Sequence, residues 1–154
     1  MRRPVAAVIA LIVLATLVAR VSLNIAATGN SLAEALWVIY RFFTVWTNTL
    51  VGVLCAWVCV TGKTARRISA GLVLAISLVG IVYHILLAQL VDYSGIEALV
   101  DQSFHTIVPI AFVLWWVILE DKTTLGRADL GLWLAYPVVY CLYALVRGAF
   151  DSIY

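Results

Sequence analysis

Five apolar runs, each close to the ~20 residues a helix needs to cross a bilayer, constrain this chain more than any other feature. They extend from about Val5 to Ile25, Leu36 to Val60, Ile68 to Val91, Ser103 to Leu119 and Leu130 to Phe150. The runs do not alternate polar and apolar residues, as the strands of a membrane barrel would, so they predict helices. Of the 154 residues, 65% are hydrophobic and 12% charged, where a soluble domain carries about 25% charged residues. The expected fold is all-α, a polytopic transmembrane helical bundle of five spans in which residues 1–154 form one domain. Short loops predict antiparallel neighbours. The stretch after Met1-Arg2-Arg3 reads as a retained first helix, because it is as long as a span and shows no clear small-residue cleavage site.

Charge is segregated between the loops. Arg2 and Arg3 precede the first run, Lys63, Arg66 and Arg67 lie between the second and third, and Lys122 and Arg127 lie between the fourth and fifth. The other loops hold Glu34, Asp92, Glu97 and Asp101, with no Lys or Arg. Positive charge stays on the cytoplasmic side, which predicts a cytoplasmic N-terminus and, with five spans, a C-terminus outside. Nothing resembles a basic nucleic-acid patch. The expected partners are the lipid bilayer and a lipid substrate, and the sequence does not fix the oligomeric state. Cys55, Cys59 and Cys141 lie within apolar runs and read as small hydrophobes. Two histidines with no carboxylate at the same depth predict no metal site, and no cofactor is expected.

The second run contains an unusually polar stretch, Tyr40-Arg41-Phe42-Phe43-Thr44-Val45-Trp46-Thr47-Asn48-Thr49. Polar groups in a span are costly and usually face a protein interior or a wet cavity. On a continuous helix Arg41, Thr44 and Asn48, spaced i, i+3, i+7, fall on one stripe. Thr44 is then roughly 12 Å below the outer end, and His84 of the third run about 10 Å below it, at 1.5 Å per residue. His105 opens the fourth run at the outer face. Arg20 and Arg147 lie near the outer ends of the first and fifth. Tyr136, Tyr140, Tyr143 and Arg147 share one face of the fifth. The prediction is an outward-opening polar pocket drawing on Arg41, Thr44, Thr47, Asn48, His84, Asp101, His105, Tyr140 and Arg147.

Each of these side chains admits a functional and a plain reading. Thr44 is a nucleophile if a base activates it, and otherwise bonds the Tyr40 carbonyl one turn back. His105 could be that base with Asp101 orienting it, or the two could be an interfacial histidine and a solvated loop acid. Pro109 cannot donate to the His105 carbonyl, which predicts a freed carbonyl and a bend. His84, with Ser77 and Gly80 on its face, fits a buried neutral histidine bonded across closely packed helices. Arg41 either holds an anionic group or snorkels to headgroups, as Arg20 does. The stripe containing Tyr140 and Arg147 reads as interface packing ahead of a catalytic array.

The order Arg41-Phe42-Phe43-Thr44 in the second run, Phe104-His105-Thr106-Ile107-Val108-Pro109 in the fourth, and Tyr136-Pro137 with Arg147-Gly148 leading to Tyr154 in the fifth resembles the androgen-induced gene family. That family includes the androgen-dependent regulator of tissue factor pathway inhibitor and has six-span bacterial members. The resemblance covers most of the chain. It implies a membrane hydrolase of fatty acid esters of hydroxy fatty acids in a bacterial plasma membrane. The matching positions make Thr44 the nucleophile and His105 the base. Arg41, Thr47 and Asn48 are then candidates for holding the oxyanion. Family members continue beyond the position of Tyr154 into a sixth span, so the five-span bundle is expected to be one wall short. The competing expectation is a non-enzymatic membrane protein that binds a lipid or small molecule, or a subunit of a membrane complex. A transporter is disfavoured by the lack of internal repeats and of paired glycine or proline interruptions.

Overall fold

The computed structural model describes residues 1–63, 65–123 and 125–150, and Tyr154 lies outside them. The described elements are helical throughout. Helix α1 is Arg2–Thr28, α2 is Leu32–Ile39, α3 is Phe43–Thr61 and α4 is Arg66–Val82. The last continues through a π turn, Tyr83–Leu87, and a 3-10 turn, Ala88–Leu90. Helix α5, Gly95–Gln102, runs through a second π turn, Ser103–Ile107, into α6, Val108–Leu119. A 3-10 turn, Arg127–Asp129, leads into α7, Leu130–Phe150. Five of these units are long and apolar enough to cross a membrane: Arg2–Thr28, Phe43–Thr61, Arg66–Leu90, Gly95–Leu119 and Arg127–Phe150. These are the proportions of an integral membrane protein.

Two boundaries differ from the sequence-based expectation. The second run is not one helix: the chain leaves α2 at Tyr40 and re-enters a helix at Phe43. The fourth span begins at Gly95, so His105 lies eleven residues into it and does not open it. Asp101 is accordingly a helical residue in α5, not a loop acid.

Helix α1 packs along α3, and α4 and α6 complete the core. Ile9 and Val13 of α1 meet Val51, Cys55 and Val58 of α3, with Ile76, Val108, Phe112 and Trp115 filling the far side. Gly52 permits the close approach of α1 to α3, since a Cβ there would stand 2.7 Å from Val13 Cγ1. The end of the bundle that carries Arg2 and Arg3 is fastened by side-chain donors. Arg2 Nη2 donates to the Gly62 carbonyl (2.6 Å), Arg3 Nε to the Cys59 carbonyl (2.8 Å) and Trp115 Nε1 to the Arg2 carbonyl (3.2 Å). The two arginines thus cover the carbonyl end of α3, where cations are favoured. At the opposite end Ser31 and Glu34 form a capping box on α2. Bonds from the Ser31 hydroxyl and backbone N–H hold the Glu34 carboxyl below the usual range.

Helix α7 lies outside the core, packed on α4, and Arg147 is its one buried residue among those described. Cys55 is buried, Cys59 half-buried and Cys141 exposed, and all three are free thiols.

Candidate functional site

The site begins with the interruption between α2 and α3. No glycine or proline causes it. Its carbonyls, lost to the helix ladder, are taken by side chains. Trp46 Nε1 (2.7 Å) and the Tyr143 hydroxyl (3.0 Å) donate to the Tyr40 carbonyl. The Tyr140 hydroxyl donates to the Arg41 carbonyl (2.7 Å), and Arg147 Nη2 to the Trp37 carbonyl (2.5 Å). The Arg147 guanidinium also lies over the Trp37 ring, 4.1 Å from its centroid. The tyrosine face of α7 is therefore the cap of the interruption. This is its packing reading, and it removes Tyr140 and Arg147 from the pocket that holds Thr44.

Breaking the helix changes the position of Thr44. It becomes the second residue of α3, at a helix N-terminus. The expected bond from its hydroxyl to the Tyr40 carbonyl is not made, because Tyr40 belongs to the turn and its carbonyl faces Trp46 and Tyr143. Arg41 likewise leaves the predicted stripe with Thr44 and Asn48, since it lies in the turn before α3 begins. In the first turn of α3, the N–H groups of Val45 and Trp46 donate to the Phe42 carbonyl. Those of Phe43 and Thr44 have no backbone acceptor among the described residues.

Thr44, His105, Asp101 and Arg20 line one cavity of about 250 Å³, closed by Phe42, Val45, Tyr83, Tyr93, Val100 and Phe104 among others. His105 Nδ1 is 2.9 Å from the Asp101 backbone carbonyl and 3.2 Å from Asp101 Oδ1. Both partners are acceptors, so Nδ1 carries the proton and Nε2 carries the lone pair. The Tyr83 hydroxyl donates to the other carboxylate oxygen, Oδ2, and the Tyr83 ring stacks on the imidazole with centroids 4.0 Å apart. Asp101 is thus held between α4 and the π turn, and both acid and imidazole are largely shielded. Two π turns face each other here, one carrying His84 and one carrying His105. Such turns are frequent at functional sites.

The other predicted residues lie apart from this cavity. Thr47 is buried and bonds the Phe43 carbonyl and the Tyr136 hydroxyl, each at 2.8 Å. Asn48 is buried and bonds two backbone carbonyls. His84 bonds across helices, as expected, with Nε2 2.9 Å from Thr106 Oγ1, and Thr106 donates to Gln102 Oε1. It is not buried, however; it faces outward over an apolar groove between α4 and α6. That groove has a volume of about 510 Å³ and includes Ser77, Gly80 and Pro109. His105 lines both the groove and the Thr44 cavity. Tyr83 was not singled out from the sequence, and Arg20 was placed in the outer layer but read as reaching for headgroups. An arginine five residues from the outer end of a span was legible as such, but its direction was not.

No family model matches the chain, and no curated protein or solved structure matches it.

Proposed function

We propose that the chain is an integral membrane hydrolase that cleaves lipid esters, with Thr44 as nucleophile and His105 as its base. One observation carries this reading: Thr44, at the head of α3, and His105, with Asp101 behind its imidazole, line the same cavity. The resemblance to the androgen-induced gene family points to the same pair and to fatty acid esters of hydroxy fatty acids as substrate. The segregated arginines and lysines favour a cytoplasmic N-terminus and hence a cavity near the outer face, and the resemblance points to a bacterial plasma membrane.

In this reading His105 Nε2 takes the Thr44 proton as the hydroxyl oxygen attacks the ester carbonyl. Asp101 holds the imidazole and favours the imidazolium that forms. The tetrahedral intermediate collapses, the carbonyl-to-alkoxide bond breaks, and the leaving alkoxide receives the proton from His105. Water, deprotonated by His105, then attacks the threonine ester; the acyl–oxygen bond breaks, the fatty acid leaves, and the Thr44 oxygen takes the proton back from His105. Of the oxyanion donors anticipated from sequence, Thr47 and Asn48 are engaged in backbone bonds, and Arg41 lies in the turn outside this cavity, its Nε buried without a partner among the described residues. Better suited are the unpaired first-turn N–H groups of α3, including that of Thr44, and the Arg20 guanidinium in the same cavity. The apolar groove that shares His105 suits an alkyl chain arriving from the bilayer.

The test is ester hydrolysis by detergent-purified protein, with a fluorophosphonate probe in parallel. Thr44→Ala should lose turnover and labelling, and His105→Ala should lose turnover, with all variants folded alike. Full activity in Thr44→Ala would remove the mechanism.

A further inference from the structure

Asn48 is completely buried on α3, one turn below Thr44. Its Nδ2 donates to the Thr44 carbonyl (2.9 Å) and to the Phe104 carbonyl (3.2 Å). The first acceptor belongs to the candidate nucleophile, and the second to the residue before the candidate base. Both are carbonyls, so the amide must present its NH₂ to them. Its Oδ1 is buried without a partner among the described residues. An unmet buried acceptor is destabilising, and an apolar side chain of similar size would avoid it. The unmet oxygen is thus a cost that the two donated bonds must offset.

The acceptor on the other side has a local cause. In the π turn the Val108 N–H reaches back five residues to the Ser103 carbonyl. Continued by one residue, that register would give the Phe104 carbonyl to the N–H of position 109, which is proline and has none. Pro109 had been expected to free the His105 carbonyl; the five-residue register passes the missing donor to Phe104. Asn48 supplies what Pro109 cannot.

We propose that Asn48 is a positioning residue that straps the first turn of α3 to the π turn of the fourth span and so sets the separation of Thr44 from His105. Its catalytic meaning rests on the hydrolase reading above; the strap itself does not. Asn48→Leu removes both donors and the unmet oxygen together, and Thr44 keeps its place in the α3 ladder. The leucine removes the unmet oxygen but also strips the Phe104 carbonyl of its donor, so the two changes oppose each other and the unfolding temperature should change little. Its kcat should fall by about 100-fold with KM unchanged, the effect of misplacing reacting groups by about 1 Å. Amide hydrogen exchange should rise in both 43–48 and 103–108. Asn48→Ala, which removes both donors without the branched bulk of leucine, serves if the leucine variant fails to fold. The proposal is overturned if stability falls in step with kcat, or if exchange rises in neither segment or in only one. Wild-type protein that hydrolyses no ester, with exchange still rising in both segments of the variant, supports the strap and removes the hydrolase reading.

Discussion

Replacing Asp101 by asparagine should cost this site far less than the same change costs a catalytic triad. Where a carboxylate alone orients the imidazole, its amide favours the wrong tautomer and turnover falls by about 10⁴. Here Nδ1 has a second acceptor, the Asp101 backbone carbonyl at 2.9 Å, which the substitution leaves in place. The new amide can also present its oxygen to Nδ1 and its NH₂ to the Tyr83 oxygen, which faces Oδ2 in the wild type. The tautomer survives, and what is lost is one charge-assisted bond, about 1.5–3 kcal/mol. That corresponds to a fall in kcat of about 10- to 150-fold. The tautomer can be read without substrate, from ¹⁵N shifts of histidine-labelled protein. The chain has two histidines, so His84→Gln leaves one signal to follow. Conversion of His105 to the Nε2–H form in Asp101→Asn, or a loss near 10⁴, would refute the argument that the backbone carbonyl holds the ring.

Three further expectations concern the scaffold. Gly52→Ala, whose Cβ would stand 2.7 Å from Val13 Cγ1, should destabilise by about 1–3 kcal/mol. Val13→Ala in the same chain should recover at least about 1 kcal/mol beyond additivity, measured by a double-mutant cycle of thermal unfolding in detergent. Arg147→Met removes the bonds to the Trp37 carbonyl and the Tyr143 hydroxyl; it should cost about 2–3 kcal/mol and raise proteolysis and hydrogen exchange in both α2 and α7. Glu120, beyond the end of α6, is buried with both carboxylate oxygens unpaired among the described residues, and burial holds its pKa above the usual value against the pull of Arg2, Arg66 and Lys122. The folded state therefore binds its proton more tightly than the unfolded state, so this contribution is full in acid and is lost as pH rises through the folded pKa. Glu120→Gln should raise the unfolding temperature at about pH 8, with the gain fading toward about pH 4.

The spans and their charged ends were legible because length, apolarity and loop charge are local properties. The interruption at Tyr40 was not. Its stretch, though polar for a span, lacks Gly and Pro and reads as a continuous helix. It is held open by donors from about a hundred residues away, Tyr140, Tyr143 and Arg147. Those residues were visible as one face of a helix, but nothing local says what that face covers. The π turn at His105 was half legible. Pro109 announces a lost donor, and only the register of the turn tells which carbonyl loses it. Asp101 and His105 were paired in sequence at one helical turn, whereas the contribution of Tyr83 depends on how α4 is rotated.

The turn between α2 and α3 also bears on the order in which the chain is made. A bilayer receives these helices from the N-terminus onward, and α7 is the last of the described ones to enter. Until it arrives, the Trp37 and Arg41 carbonyls, just outside the apolar span that begins at Phe43, lack the donors that α7 brings. The nascent segment from Leu32 to Thr61 can satisfy itself by closing into one helix of about 45 Å, well over the ~30 Å of hydrocarbon it must match. Such a helix fits only by tilting or by pushing its end into the headgroups. Docking of α7 would instead favour the bent segment, in which Thr44 stands at a helix end. In that order of events Thr44 would reach the head of α3 only after α7 has docked.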